Sequence, residues 1–237
     1  MRGSVKGRVR DRGRGGGASR ALEARSAARE VARRRPAPPP AVCEVAPELF
    51  VPTPELATFA RETFLVPGAP LHNPDHLHLE HARIGYLWTN VPNRRSMRWV
   101  LGTAEIPQTM GGAWKRGRAE QQLREWFGWE PDFLITLFAP ELAKASDRSF
   151  CAVLEHELYH CAHATTDTGA PRFHDDGSPI YGILGHDVEE FVGVVRRYGR
   201  TAAVASLVEA ALAAPAVGDM DLAGACGTCR ASLRKVA

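Results

Sequence analysis

Between Ser149 and Ala164 the chain carries a pattern that only an α-helix with two unlike faces can accommodate. At about 100° per residue, Cys151, Leu154, Leu158, Cys161 and Ala162 fall opposite His156 and His160. One face must pack into a core while the other looks into a cleft. Whatever the rest of the chain does, it has to supply both surroundings.

The cleft side reads His156-Glu157-Leu158-Tyr159-His160, a His-Glu-x-x-His pattern. Residues four apart sit one above the other on a helix, so two imidazoles can close on one metal ion. Glu157 projects toward the same region, where a carboxylate can take a proton from metal-bound water. The bland alternative is a solvated polar face, but an intact apolar face behind the histidines argues against it.

Zinc in a catalytic site takes three protein ligands and keeps a fourth position for water. His163 shares the face of His156 but lies about 10.5 Å further along the axis, too far to share one ion. Gly185-His186-Asp187-Val188-Glu189-Glu190-Phe191 is the better source, at the start of a helix expected over Asp187–Tyr198. His186 and Glu190 are four apart and either can supply the ligand, with Glu189 a weaker choice. His186 is preferred because neutral imidazole suits zinc, and Asp187 and Glu190 can then support it from behind. The same acidic residues also suit a helix N-terminus, where they complement the dipole.

Around this segment the pattern alternates between strands and helices. Thr53-Pro54-Glu55-Leu56 opens a helix, and Ile84–Thr89, Trp99–Ile106 and Asp132–Phe138 read as strands. The turn-rich Asn90-Val91-Pro92-Asn93 break suggests that the first two strands form an antiparallel pair. Arg118–Phe127 reads as a helix stopped by Gly128, and Thr201–Ala213 as another. Phe173–Pro179 reads as a loop bordering the cleft. Tyr159, Tyr181 and Tyr198 are candidate donors to an oxyanion, with ordinary packing the stronger expectation for each.

The charge is unevenly divided. Residues 1–35 hold twelve Lys/Arg against three Asp/Glu, a net of +9, whereas the remainder holds eighteen against twenty-four, a net of −6. Residues 1–41 contain no Phe, Trp or Tyr and are expected to be a disordered tail, because they cannot bury enough apolar surface to offset ordering. Clustered Arg there permits nonspecific nucleic-acid contact or a transit peptide. The folded domain is expected over residues 42–215, with residues 216–237 as a C-terminal extension. No run approaches eighteen uncharged apolar residues, which excludes a membrane helix. The start lacks a secretory h-region and the five cysteines make no disulfide framework, so an intracellular setting is expected.

Cys226-Gly227-Thr228-Cys229 is a lone C-x-x-C without a second pair, expected as reduced, solvent-facing thiols; a redox pair or a metal site shared between chains is the weaker reading. Trp114-Lys115-Arg116-Gly117-Arg118, with Arg124, Trp126 and Trp129, mixes basic and aromatic residues as single-stranded nucleic acid requires. A helix that buries its Trp and Leu and solvates its charges is preferred.

From Thr53 to Arg200 the chain resembles the phage metallopeptidase family. The likeness rests on Asn73-Pro74-Asp75-His76, on the stretch from Arg83 to Thr89, and on Trp126-Phe127-Gly128 and Pro131-Asp132-Phe133. It continues through Glu155–Cys161 and Gly185–Phe191. More distantly it is similar to SprT-like zinc proteases, in which a later His-Gly-x-x-Phe segment brings the third ligand; here His186 takes that place, Asp187 replaces the Gly and Phe191 comes one residue late. The resemblance implies an α+β, zincin-like fold, with a short sheet on the His-Glu-x-x-His helix and helices after it. It also implies a zinc-dependent peptidase in the cytoplasm of a bacterial host, with protein or peptide substrates. The alternative is a DNA-associated binding protein with structural or vestigial zinc, or a SprT-like protease of DNA-bound proteins.

Overall fold

The computed structural model describes residues 26, 31, 34–44, 46–95, 98–188, 192–215, 217–218 and 225–227. Strand β1 (Phe50–Pro52) leads into helix α1 (Pro54–Ala60), with Thr53 at its N-cap and Pro54 in its first turn. A π-helical stretch, Arg61–Leu65, and a short 3-10 segment, Pro74–Leu79, follow. Next come β2 (Ile84–Thr89), β3 (Arg94–Arg95), β4 (Arg98–Glu105) and α2 (Ala113–Phe127). The chain continues through β5 (Phe133–Phe138), α3 (Ala139–Leu142), α4 (Asp147–His160), β6 (Cys161–His163) and β7 (Tyr181–Ile183). Helices α5 (Val192–Tyr198) and α6 (Ala202–Leu212) precede a last short strand, β8 (Ala225–Cys226).

The fold is α+β. The main sheet runs β1-β2-β5-β4-β3, with β8 added on β4. The expected pairing of β2 with β4 is not what forms: β5 lies between them, parallel to β2 and antiparallel to β4. Composition explains the choice. Nearly every residue of Phe133–Phe138 is buried, and a strand with no polar face belongs at the centre of a sheet covered on both sides.

Alternation along the strands builds the two covers. Tyr86, Trp88, Phe133, Ile135 and Leu137 point into the main core, with Leu56, Phe64, Phe150, Leu154 and Leu158 from the helical layer. Leu87 and Leu134 point the other way and meet Leu123, Trp126 and Phe127 of α2. Two positions in the segment that composition assigns to the tail also reach the core. Val31 is buried in it, and the Arg35 guanidinium lies over Phe150 and donates to the Leu142 and Ala145 carbonyls and to Asp147.

Helix α4 is shorter than its sequence pattern, which extends to Ala164. Its start is capped by Ser146, whose side chain accepts from Ser149 N–H, and its end is set by strand pairing. Cys161–His163 leaves the helix to pair antiparallel with Tyr181–Ile183, while Leu184 N–H donates to the His160 carbonyl at 2.9 Å. The Cys161 carbonyl accepts from the His78 ring at 2.7 Å. The final helical carbonyls thus find partners outside the helix. His163, which the pattern puts on α4, sits instead in β6 against His78 and Tyr181.

The apolar face of α4 is the anchor of the site. Leu154 is fully buried in the main core. Leu154→Ala is expected to cost about 2–5 kcal/mol, as transfer plus cavity terms dictate. Urea unfolding of the variant, with an unchanged slope and a lowered midpoint, checks this.

Candidate metal centre

His156 and His160 come from one face of α4 as the four-residue spacing requires, with their ring centroids 4.9 Å apart. His186 reaches them by another route. Of the helix expected over Asp187–Tyr198, the described part is Val192–Tyr198, while His186, Asp187 and Val188 lie outside any helix in the connection after β7. The β6–β7 ladder carries that connection back over the end of α4. Leu184 makes the junction twice: its N–H donates to the His160 carbonyl, and its own carbonyl accepts from His160 Nδ1 at 2.6 Å.

That second bond settles the chemistry of His160. With Nδ1 donating to a carbonyl, the proton-free nitrogen is Nε2, which faces the cleft. There the His160 and His156 Nε2 atoms stand 3.2 Å apart, and those of His156 and His186 3.1 Å. Tetrahedral bonds to zinc of about 2.0–2.1 Å put neighbouring nitrogens about 3.3 Å apart. At such distances the three rings could share one metal ion.

A fourth donor completes the group. Strand β8 pairs parallel with β4, Ala225 opposite Val100 and Cys226 opposite Gly102. This brings Cys226 Sγ to 3.1 Å from His160 Nε2, and the four ligand atoms all lie within 4.8 Å of one another. The expectation of a solvent-facing thiol therefore fails for Cys226, which is half-buried against three imidazoles. Cys229 and Glu190 lie outside the described residues, as does Glu189. Asp187 is exposed and not part of the cluster. Three imidazoles with one thiol are a donor set that suits zinc.

Burial alone lowers the pKa of His160, but the hydrogen bonds to Cys226 and Leu184 and the charge of Glu157 outweigh it, leaving the pKa above its ordinary value. The remaining described thiols stand apart. Cys43 is exposed, while Cys151 and Cys161 are buried on the core side, and burial pushes Cys151 up to about 12.

Glu157 is 1% exposed and lies under β4. A Cβ at Gly102 would come within 2.7 Å of its Oε1 and 2.8 Å of its Cγ, so the carboxylate occupies space that only glycine leaves open. Gly102→Ala is expected to force Glu157 or β4 aside, at about 1–3 kcal/mol. A lowered melting temperature with metal stoichiometry retained checks it. Nothing local in the sequence marks Gly102, because its partner lies 55 positions away.

The outer side of α4 is tied down by the Asn73-Pro74-Asp75-His76 segment. The Asn73 amide donates to Glu155 and to the Tyr159 hydroxyl, both at 2.8 Å, and that hydroxyl donates to Asp75 at 2.9 Å. His76 packs edge-on to the Tyr159 ring. The hydroxyl of Tyr159 is thereby engaged with that segment. Tyr181 packs on Phe133 and His163, and Tyr198 is largely exposed on α5. The loop over Phe173–Pro179 forms a bridged, exposed turn.

The basic–aromatic stretch of α2 is divided. Trp126 packs beneath the sheet as expected, whereas Trp114 is 91% exposed. Arg124 pairs with Glu130.

A helix bearing paired histidines on a mixed sheet, joined by His186 and Cys226 from two later segments, makes an α+β domain whose clustered side chains could hold a metal ion. The chain belongs to the family described as "Putative phage metallopeptidase", whose model matches residues 57–212. No curated protein and no solved structure matches it. Among the described residues no helix is long and apolar enough to cross a membrane.

Proposed function

We propose that this protein is a zinc-dependent peptidase in which His156, His160 and His186 hold the metal and Glu157 is the general base. The observation that carries the reading is the convergence of three imidazole Nε2 atoms, with the buried Glu157 close enough for its charge to act on His160. A purely structural site has no use for a proton acceptor there.

Zinc held by these residues supplies Lewis acidity, polarising a peptide carbonyl and making water acidic enough to lose a proton near neutrality. The remaining work falls to the chain. Glu157 accepts the proton from the attacking water and passes it to the leaving amine, its carboxylate held in place by the close fit to Gly102. Leu184 keeps His160 in the tautomer whose Nε2 is free to ligate. Asn73 and Asp75 brace α4 from behind through Glu155 and Tyr159. His186, rather than Glu190 or Asp187, is the third ligand in this reading, and the substrate is a protein or peptide. The setting is a phage- or prophage-encoded protein in its bacterial host.

One observation favours a second reading. A closed set of four protein donors is the form that structural zinc sites take. In that case the domain is a binding module, with Trp114 and the basic N-terminal segment as contacts for nucleic acid.

Elemental analysis of the purified chain tests the first requirement of either reading. About one zinc per chain is expected. A protein that carries none, and takes up none when zinc is added, overturns the peptidase.

A further inference from the structure

The three histidines and Cys226 differ in how they are held. His156 and His160 stand on a helix whose opposite face is part of the core, and His186 is fixed through the β6–β7 ladder. Cys226 arrives on a two-residue strand. Beside the pairing of β8 with β4, Gly227 N–H donates to the Gly102 carbonyl at 3.0 Å and the Arg95 guanidinium reaches the Cys226 carbonyl at 3.4 Å. The pairing of β8 on β4 is irregular between Val100 and Gly102.

Its position is as telling as its attachment. Cys226 pairs with Gly102, the residue that rests on Glu157. Its sulfur stands among the three imidazoles, in the position a catalytic zinc would keep for water. The seat is also shaped for this segment. A Cβ at Gly227 would fall 2.1 Å from Thr103 Cγ2 and 2.7 Å from Val100 Cγ1, so only glycine lies flat against β4 there.

We propose that the segment Ala225–Gly227 is a built-in latch: Cys226 fills the fourth position about the metal, β8 holds it along β4, and the full-length chain is a latent peptidase until the thiolate leaves. The inference rests on the zinc-peptidase reading above. Release is a ligand exchange without electron transfer. The zinc–sulfur bond breaks, a zinc–oxygen bond to water forms, and the departing thiolate takes up a proton.

The test uses the full-length wild type, Cys226→Ala and Gly227→Val, the last keeping the ligand and spoiling its seat. In the cobalt-substituted wild type a thiolate-to-cobalt charge-transfer band is expected. In Cys226→Ala the band is absent while about one cobalt per chain is retained. In the zinc-loaded proteins, mass-spectrometric mapping should find Cys226 protected from alkylation in the wild type and modified in Gly227→Val. Cleavage of unfolded casein should rise at least about tenfold in both variants, since the rate follows the open fraction.

A wild type without the band overturns the latch, and so does a Cys226→Ala protein that loses its metal, because the thiol is then a permanent ligand. Equal cleavage by all three proteins also overturns it and leaves the peptidase standing. All three silent, with metal bound and the band changing as expected, removes the peptidase reading and the latch with it.

Discussion

His160→Ala is expected to weaken zinc binding more than any other single change in the chain. Its Nε2 faces His156 and Cys226 within 3.1–3.2 Å, and its Nδ1 is bonded to the Leu184 carbonyl that positions the approach to His186. The substitution deletes one ligand and loosens the hold on another. A loss of at least about 100-fold in affinity is expected, beyond the 10–100-fold typical of disturbing a group behind the ligands. Competition against a chromophoric chelator measures it. Because the metal binds the folded form, chelation should also lower the melting temperature of the wild type. Zinc at about 1,000 times its Kd contributes about 4 kcal/mol. The His160→Ala protein should barely respond to the chelator. A variant that keeps its zinc with undiminished affinity would move the centre away from α4.

The second large effect is on turnover. In a Cys226→Ala background, Glu157→Gln should retain about one zinc per chain and lose about 10²–10⁴-fold in kcat, the range a positioned general base contributes. Glutamine is chosen because Glu157 is buried and packs on Gly102, so an isosteric amide keeps the fit that alanine would empty. The amide cannot accept the proton. Melting temperature and metal content serve as controls for folding, and the loss should fall on kcat with KM little changed. Undiminished turnover in Glu157→Gln would remove this carboxylate from the chemistry.

Much of the site was legible because it is local. The two-faced character of Ser149–Ala164 follows from side-chain spacing alone, and Cys151, Leu154 and Leu158 are buried as that spacing demands. The strand at Ile84–Thr89 was read to its observed ends, and the helix before Gly128 to its last residue. The likeness over Asn73–His76 pointed to a segment that the fold uses to brace α4.

The misreadings share a cause. The last turn of α4 has helical spacing through Ala164, but a backbone ladder with Tyr181–Ile183 takes the chain away at Cys161. Asp187 and Val188 were also expected in a helix and lie outside one. At Cys161 local propensity, worth a few tenths of a kcal/mol per residue, gives way to pairing made elsewhere in the fold. The order of β2, β5 and β4 went the same way, since a turn-rich break between two strands does not say which third strand will separate them.

Residue types at fixed short spacing thus decided the pair of imidazoles, the carboxylate between them in sequence and the apolar face that carries them, because an α-helix converts a difference of four positions into a shared face. The fold decided which distant groups join them. His186, 30 positions from His156, and Cys226, 66 from His160, arrive by strand pairing through backbone groups that every residue carries. Backbone hydrogen bonds leave no mark on side-chain pattern, so the fourth donor could be seen only once β8 was laid along β4.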